Sequence, residues 1–135
     1  MSVSELDNSP SPEGDLAIQT LAMPASTNPY GDIFAGWLVS QMDLAGSVAA
    51  VKISRGRVAT VATEKMQFLS AVHVGAIVSC YTRVLEVGRS SMKIHIEVWI
   101  NDEKSFEPIK VTECSVVYVS IDDNGRTRPI KRAAT

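Results

Sequence analysis

The residues with the most chemical promise lie in one polar loop, Ser26-Thr27-Asn28-Pro29-Tyr30-Gly31-Asp32, set directly before a long apolar run. If that run is a helix, the loop delivers a carboxylate and a carboxamide to its N-terminus, where unpaired backbone N–H groups and the helix dipole favour negative charge. Hydrolysis at a carbonyl develops such a charge on the oxygen, and it also needs a base or nucleophile to start the attack. Asp32 is placed for the second task, and the helix N-terminus at Ala35 and Gly36 for the first. Asp32 also reads as an ordinary N-cap, because Asp before an apolar helical run is a common capping pattern. Asn28 before Pro29 reads as a turn residue bonded to local backbone, or as a group that orients water or the reacting carbonyl.

Other candidate groups are fewer. Asp43 sits among apolar neighbours inside the run, where an ionised carboxylate must be paired, and a partner at a subunit contact is expected. His73 follows a strand and His95 falls on the polar face of another, so surface placement is expected for His95, and neither histidine lies near a recognisable nucleophile. Cys80 and Cys114 occupy apolar runs without CxxC spacing, which gives buried free thiols and no support for a zinc site or redox dithiol. Antiparallel pairing about Gly88 sets Cys80 nearer Val98 than His95, so no Cys–His pair forms. There is no GxSxG, no P-loop and no metal-ligand cluster.

The elements that must hold the loop follow from periodicity. Leu16 to Met23 reads as a short strand. From Phe34 the apolar positions Phe34, Trp37, Leu38, Met42, Ala45, Val48 and Ala49 recur at helical spacing, which predicts a helix buried on nearly every side and ending near Ser54-Arg55-Gly56, with Gly56 as C-cap. The stretches 58–68, 76–87, 91–100 and 109–121 are rich in Val, Ile, Thr and aromatics and read as strands. In the third of them Met92, Ile94, Ile96, Val98 and Ile100 alternate with Ser91, Lys93, His95, Glu97 and Trp99, so one face is core and the other largely polar. Short connections at 88–90 and 101–106 make the last three strands an antiparallel meander. The sum is an α+β architecture, a hotdog fold in which a curved antiparallel sheet wraps one long central helix. One copy leaves an edge strand open, so at least a dimer is expected.

Size and charge bound the rest. The 135 residues, 45% hydrophobic and 21% charged, suit one domain. Residues 1–14 read as a disordered tail, 15–123 as the folded domain and 124–135 as a basic C-terminal tail carrying Arg126, Arg128, Lys131 and Arg132. The net charge of -2 hides an asymmetry: residues 1–51 hold six of the fifteen acids and none of the thirteen Lys and Arg. The basic excess beyond residue 51 is small and spread out, which argues against nucleic acid and suits a phosphorylated small molecule. The longest apolar stretch, 33–51, is too polar for a membrane span, and a cytoplasmic location is expected.

The segment Asn28-Pro29-Tyr30-Gly31-Asp32-Ile33-Phe34-Ala35-Gly36-Trp37-Leu38, followed by Ser40-Gln41-Met42-Asp43, resembles the helix-start signature of YciA-type acyl-CoA thioesterases, members of the hotdog-fold thioesterase superfamily. The similarity continues through Gly56-Arg57-Val58, Met66-Gln67-Phe68-Leu69, Val74-Gly75 and Ile96-Glu97-Val98-Trp99, covering roughly residues 16–121. Two departures stand out: Ala35 replaces a usual glycine, and Ser70-Ala71 replaces a common Arg-Pro pair. The resemblance implies hydrolysis of short- to medium-chain acyl-CoA to free acid and coenzyme A, with Asp32 as general base or nucleophile and no metal or cofactor beyond coenzyme A itself. It also implies a trimer of dimers with each active site between two subunits. The turn Gly88-Arg89-Ser90-Ser91 matches a region that meets coenzyme A, although a plain hairpin turn would read the same. Two other readings remain open: a non-catalytic acyl-CoA-binding protein, if Asp32 only caps the helix, and a hotdog dehydratase, which generally needs a histidine at the helix where this chain has none before residue 73.

Overall fold

A computed structural model describes residues 11–130. Five strands, β1 (Asp15–Leu21), β2 (Val58–Phe68), β3 (Ile77–Val87), β4 (Ser91–Asn101) and β5 (Pro108–Ser120), form one sheet in the order β1-β3-β4-β5-β2. Every pairing is antiparallel. One long helix, α1 (Ala35–Ser54), packs on one face, chiefly over β4 and β3. The alternation in β4 produces this arrangement: Met92, Ile94, Ile96 and Val98 all turn inward against Leu38, Met42, Ala45 and Ala50. Each large apolar side chain so buried contributes about 1.5–3 kcal/mol. The expected meander is present, and Cys80 stands opposite Val98 as the hairpin geometry requires.

Four expectations are corrected. The helix is buried along one side only, and Leu44, Val48 and Val51 form an exposed apolar stripe, because a single sheet covers a single flank. The helix ends at Ser54, as expected, but its cap is Arg55 and not Gly56: Arg55 adopts the left-handed conformation at φ 56° and donates its N–H to Val51 O at 2.7 Å. Gly56 is small for a different reason, since a β-carbon there would collide with the Arg128 guanidinium. The other face of β4 is not an open polar surface either, because Glu97 and Trp99 are buried on it at 1% and 3% exposure.

The stretch from 124 assigned to a tail also departs from expectation through residue 130. The Arg128 guanidinium bonds Ser54 Oγ at 2.8 Å and Ile121 O at 3.1 Å, and Ile130 packs into the core while donating its N–H to Arg89 O. Residues 131–135, and 1–10 of the expected N-terminal tail, lie outside the described residues.

Beyond its first two turns, α1 is indexed to the sheet by polar contacts. Tyr118 OH donates toward the carbonyl and the carboxylate of Asp43, each at 3.1 Å, and Ser120 Oγ donates to the buried Ser54 Oγ at 2.6 Å. Gly46 admits the Tyr118 ring, since a β-carbon there would fall on the hydroxyl. Gly46→Ala should therefore cost about 1–3 kcal/mol by overpacking, read as a lower urea midpoint at unchanged m. The same substitution in a Tyr118→Phe background should cost less.

Candidate functional site

The loop before α1 is built by its own main chain. Asn28 Oδ1 accepts the N–H of Tyr30 at 2.9 Å and of Asp32 at 3.0 Å, while Asn28 N–H donates to Asp32 O at 2.7 Å. This is the turn role expected of Asn28. Gly31 makes the reversal at φ 86°, a conformation that costs an L-residue strain. Ile33 then donates to Val72 O at 2.8 Å and Phe34 to Ser26 O at 2.9 Å, so the loop is stitched to the segment before β3 and to itself.

Asp32 is not the N-cap. That position belongs to Phe34, which offers no side-chain cap. The Asp32 carboxylate turns instead to His73, with Oδ1 2.9 Å from Nδ1, and the two residues also form an isolated backbone bridge. His73 therefore lies beside the candidate carboxylate. Sequence spacing gave no warning, because forty-one residues separate the pair and only the bridge brings them together.

Just beyond, the first turn of α1 keeps open donors. Trp37 and Leu38 N–H donate back to Phe34 O, whereas the amides of Ala35 and Gly36 find no acceptor among the described residues. A β-carbon on Gly36 would meet nothing, so the helix start is uncrowded on that side. From Gly36 a groove of about 330 Å³ runs along the helix, with Val39, Met42, Met66, Cys114 and Val116 among its apolar lining. Asp43 closes its polar side, held by Thr60 Oγ1 at 2.7 Å and by Tyr118. These partners come from the same chain. With a carboxylate beside it and burial around it, the Tyr118 hydroxyl is pushed well above its ordinary range, burial being the larger cause.

The turn Gly88-Arg89-Ser90-Ser91 is not part of this cluster. Gly88 N–H donates to Ser91 O at 2.8 Å and Ser90 O accepts from Ser120, while the Arg89 side chain is exposed. His73 sits before the first residue of β3 and Gly88 after its last, so the eleven residues of that strand separate the turn from Asp32. That is roughly 33 Å at the rise of an extended strand. Within one chain the two cannot act on one acyl group.

The face of β4 turned away from the helix holds the other group of polar side chains. His95 Nε2 lies 3.1 Å from Glu97 Oε2 and 3.4 Å from Glu113 Oε2, and Trp99 Nε1 donates to Glu97 Oε1 at 2.8 Å. His95 is therefore not a surface residue. No metal-ligand cluster is expected from spacing, yet His95, Glu97 and Glu113 each bring a ligand atom within 4.8 Å of the others. Lys110 Nζ, 3.1 Å from Glu113 and 3.9 Å from Glu97, already supplies the positive charge there.

Comparison with known proteins agrees with this geometry. A family model described as the thioesterase superfamily matches residues 30–107. The chain belongs to that superfamily. It is 50% identical over 123 residues to the acyl-CoA thioester hydrolase YciA of Escherichia coli, covering 88% of this chain and 92% of that one. Among solved structures, a hexameric broad specificity acyl-coenzyme A thioesterase superposes with a TM-score of 0.88 at 47% identity, covering 93% of this chain and 86% of the other. A hexameric thioesterase from Yersinia pestis gives 0.87 at 46% identity, covering 90% and 100%. The hotdog architecture is thus shared with thioesterases of the superfamily, and no helix among the described residues is long and apolar enough to cross a membrane.

Both thiols are poor nucleophiles here. Burial, with Cys114 second, pushes Cys80 up to about 12. Burial, then Asp43 and Glu113, pushes Cys114 up to about 11. A raised thiol value keeps the neutral, unreactive form at pH 8. The folded protein should therefore resist a thiol-specific reagent at that pH and release both groups to it in denaturant; fast labelling before unfolding would contradict their burial.

Proposed function

We propose that the chain hydrolyses short- to medium-chain acyl-CoA to the free acid and coenzyme A. The observation that carries this reading is a carboxylate, Asp32, held rigidly three residues before a helix whose first amides, at Ala35 and Gly36, lack acceptors among the described residues. The thioester carbonyl oxygen takes those amides as its oxyanion partners. Asp32 acts as general base or nucleophile; as base it removes a proton from water, the hydroxide adds to the carbonyl carbon, and the C–S bond breaks to release the thiolate of coenzyme A. The carboxamide of Asn28 orients the water or the carbonyl. The acyl chain lies in the groove beside Gly36, whose volume of about 330 Å³ suits a small chain. No metal or cofactor is required beyond the coenzyme A of the substrate.

Coenzyme A is bound by Gly88, Arg89, Ser90 and Ser91 of a second copy, Arg89 meeting phosphate. The separation of that turn from Asp32 within one chain supports a site shared between subunits. So do the apolar stripe Leu44, Val48 and Val51 and the eleven-residue edge strand β2, both of which call for cover. Self-association as a dimer, and of dimers as a trimer, follows the hexameric relatives. The setting is cytoplasmic, with no role for nucleic acid or membrane.

The test is thiol release from a panel of acyl-CoAs by the wild type and by Asp32→Ala, with the mass of each assembly measured. Clear turnover that drops by about 10³-fold or more in the variant, at unchanged assembly, is the expected result. Binding of acyl-CoA with no thiol release at any chain length would overturn it in favour of a non-catalytic binding protein.

A further inference from the structure

Asp32 is already fixed by backbone bonds on both sides, through Asn28 and through the bridge to residue 73, so its contact with His73 is not needed to hold the loop. Nor does it hold the fold, since the histidine side chain is 62% exposed and the aspartate 34%, and exposed pairs contribute little. What the contact does is orient one carboxylate. Oδ1 is taken by His73 Nδ1 at 2.9 Å, which leaves Oδ2 without a partner among the described residues.

We propose that His73 is a positioning residue for Asp32, and that the charge on its imidazole tunes turnover with pH. The inference rests on the reading of Asp32 as base or nucleophile. To bond a carboxylate oxygen, Nδ1 must carry a proton, so the nitrogen that titrates is Nε2. With Nε2 protonated, a full positive charge sits against Oδ1 and competes with the reacting water or carbonyl for the electron pairs of the carboxylate. With Nε2 free, the ring is neutral, still donates from Nδ1, and releases that competition. The groups around the imidazole are few: Asp32 on one side, and Asp102, Glu103 and Lys104 of the β4–β5 connection, which share with His73 a groove of about 400 Å³. Ser70, Ala71 and Asn101 line the same groove and bring no charge. Turnover is therefore faster with the ring neutral than with it charged.

The experiment measures kcat and KM for acyl-CoA from about pH 5.5 to 8.5 in the wild type, His73→Gln and His73→Ala, with Asp32→Ala as reference. His73→Gln keeps a donor but cannot take a charge, so its kcat should stay within about threefold of the wild-type maximum while the wild type's step with pH disappears. His73→Ala frees the carboxylate to rotate, and kcat should fall about tenfold at every pH with KM within about twofold. If both variants match the wild type in kcat and retain its step, the inference is overturned, while inactivity of Asp32→Ala leaves the proposed function standing. If Asp32→Ala itself keeps full turnover, the reading of Asp32 falls and this one falls with it.

Discussion

The packing of one helix lengthwise on one sheet is the constraint from which the rest follows. The twenty residues of α1 and the eleven of β3 have similar lengths, about 30 Å and 33 Å, so the two ends of the helix fall near the two ends of the sheet. The helix N-terminus brings open amides to one end, and its C-terminus is closed at the other by Arg55 and Arg128. The only end of the helix where negative charge is welcome is thus the end where the Asn28 turn delivers Asp32. Chemistry and fold share a single axis, and a turn at its opposite end can contribute only through another copy.

The reverse face of the sheet obeys a different rule. A carboxylate as buried as Glu97 is tolerable only when its oxygens are occupied, and here an indole N–H, an imidazole and an ammonium surround it. These come from alternate residues of β4 and from neighbouring β5, which is what a pleated sheet places side by side. The layer is charged, with Glu97 buried at its centre and Lys110 and Glu113 half-buried at its rim, and it sits on the side of the sheet away from the helix.

Much of this was legible in the sequence because period reports backbone state. The strict alternation from Ser91 to Ile100 and the helical spacing from Phe34 onward located the sheet and the helix nearly to the residue. What the sequence did not disclose depends on contacts between distant segments. Asp32 looked like a cap because pattern cannot see His73 arriving from the other side of a bridge. His95 looked like surface because alternation gives the face of a strand and not what lies over it. Arg128 and Ile130 looked like tail because a basic, Pro-containing stretch resembles a solvated end until Ser54 is known to be waiting for the guanidinium. The candidate site was visible as a loop and a helix start, and its orienting histidine was not.

The polar anchors of α1 at Asp43, Gly46 and Ser54 all lie beyond its first two turns. The turns that carry Gly36, Val39 and Ser40 line the groove but bear none of those bonds to the sheet. The helix is therefore divided like a cantilever, clamped at its root and working at its tip. Side chains at the tip can change and so reshape the groove, while the clamp keeps the fold constant. The shape of the groove and the permanence of the architecture are, in this molecule, properties of different segments of the same element.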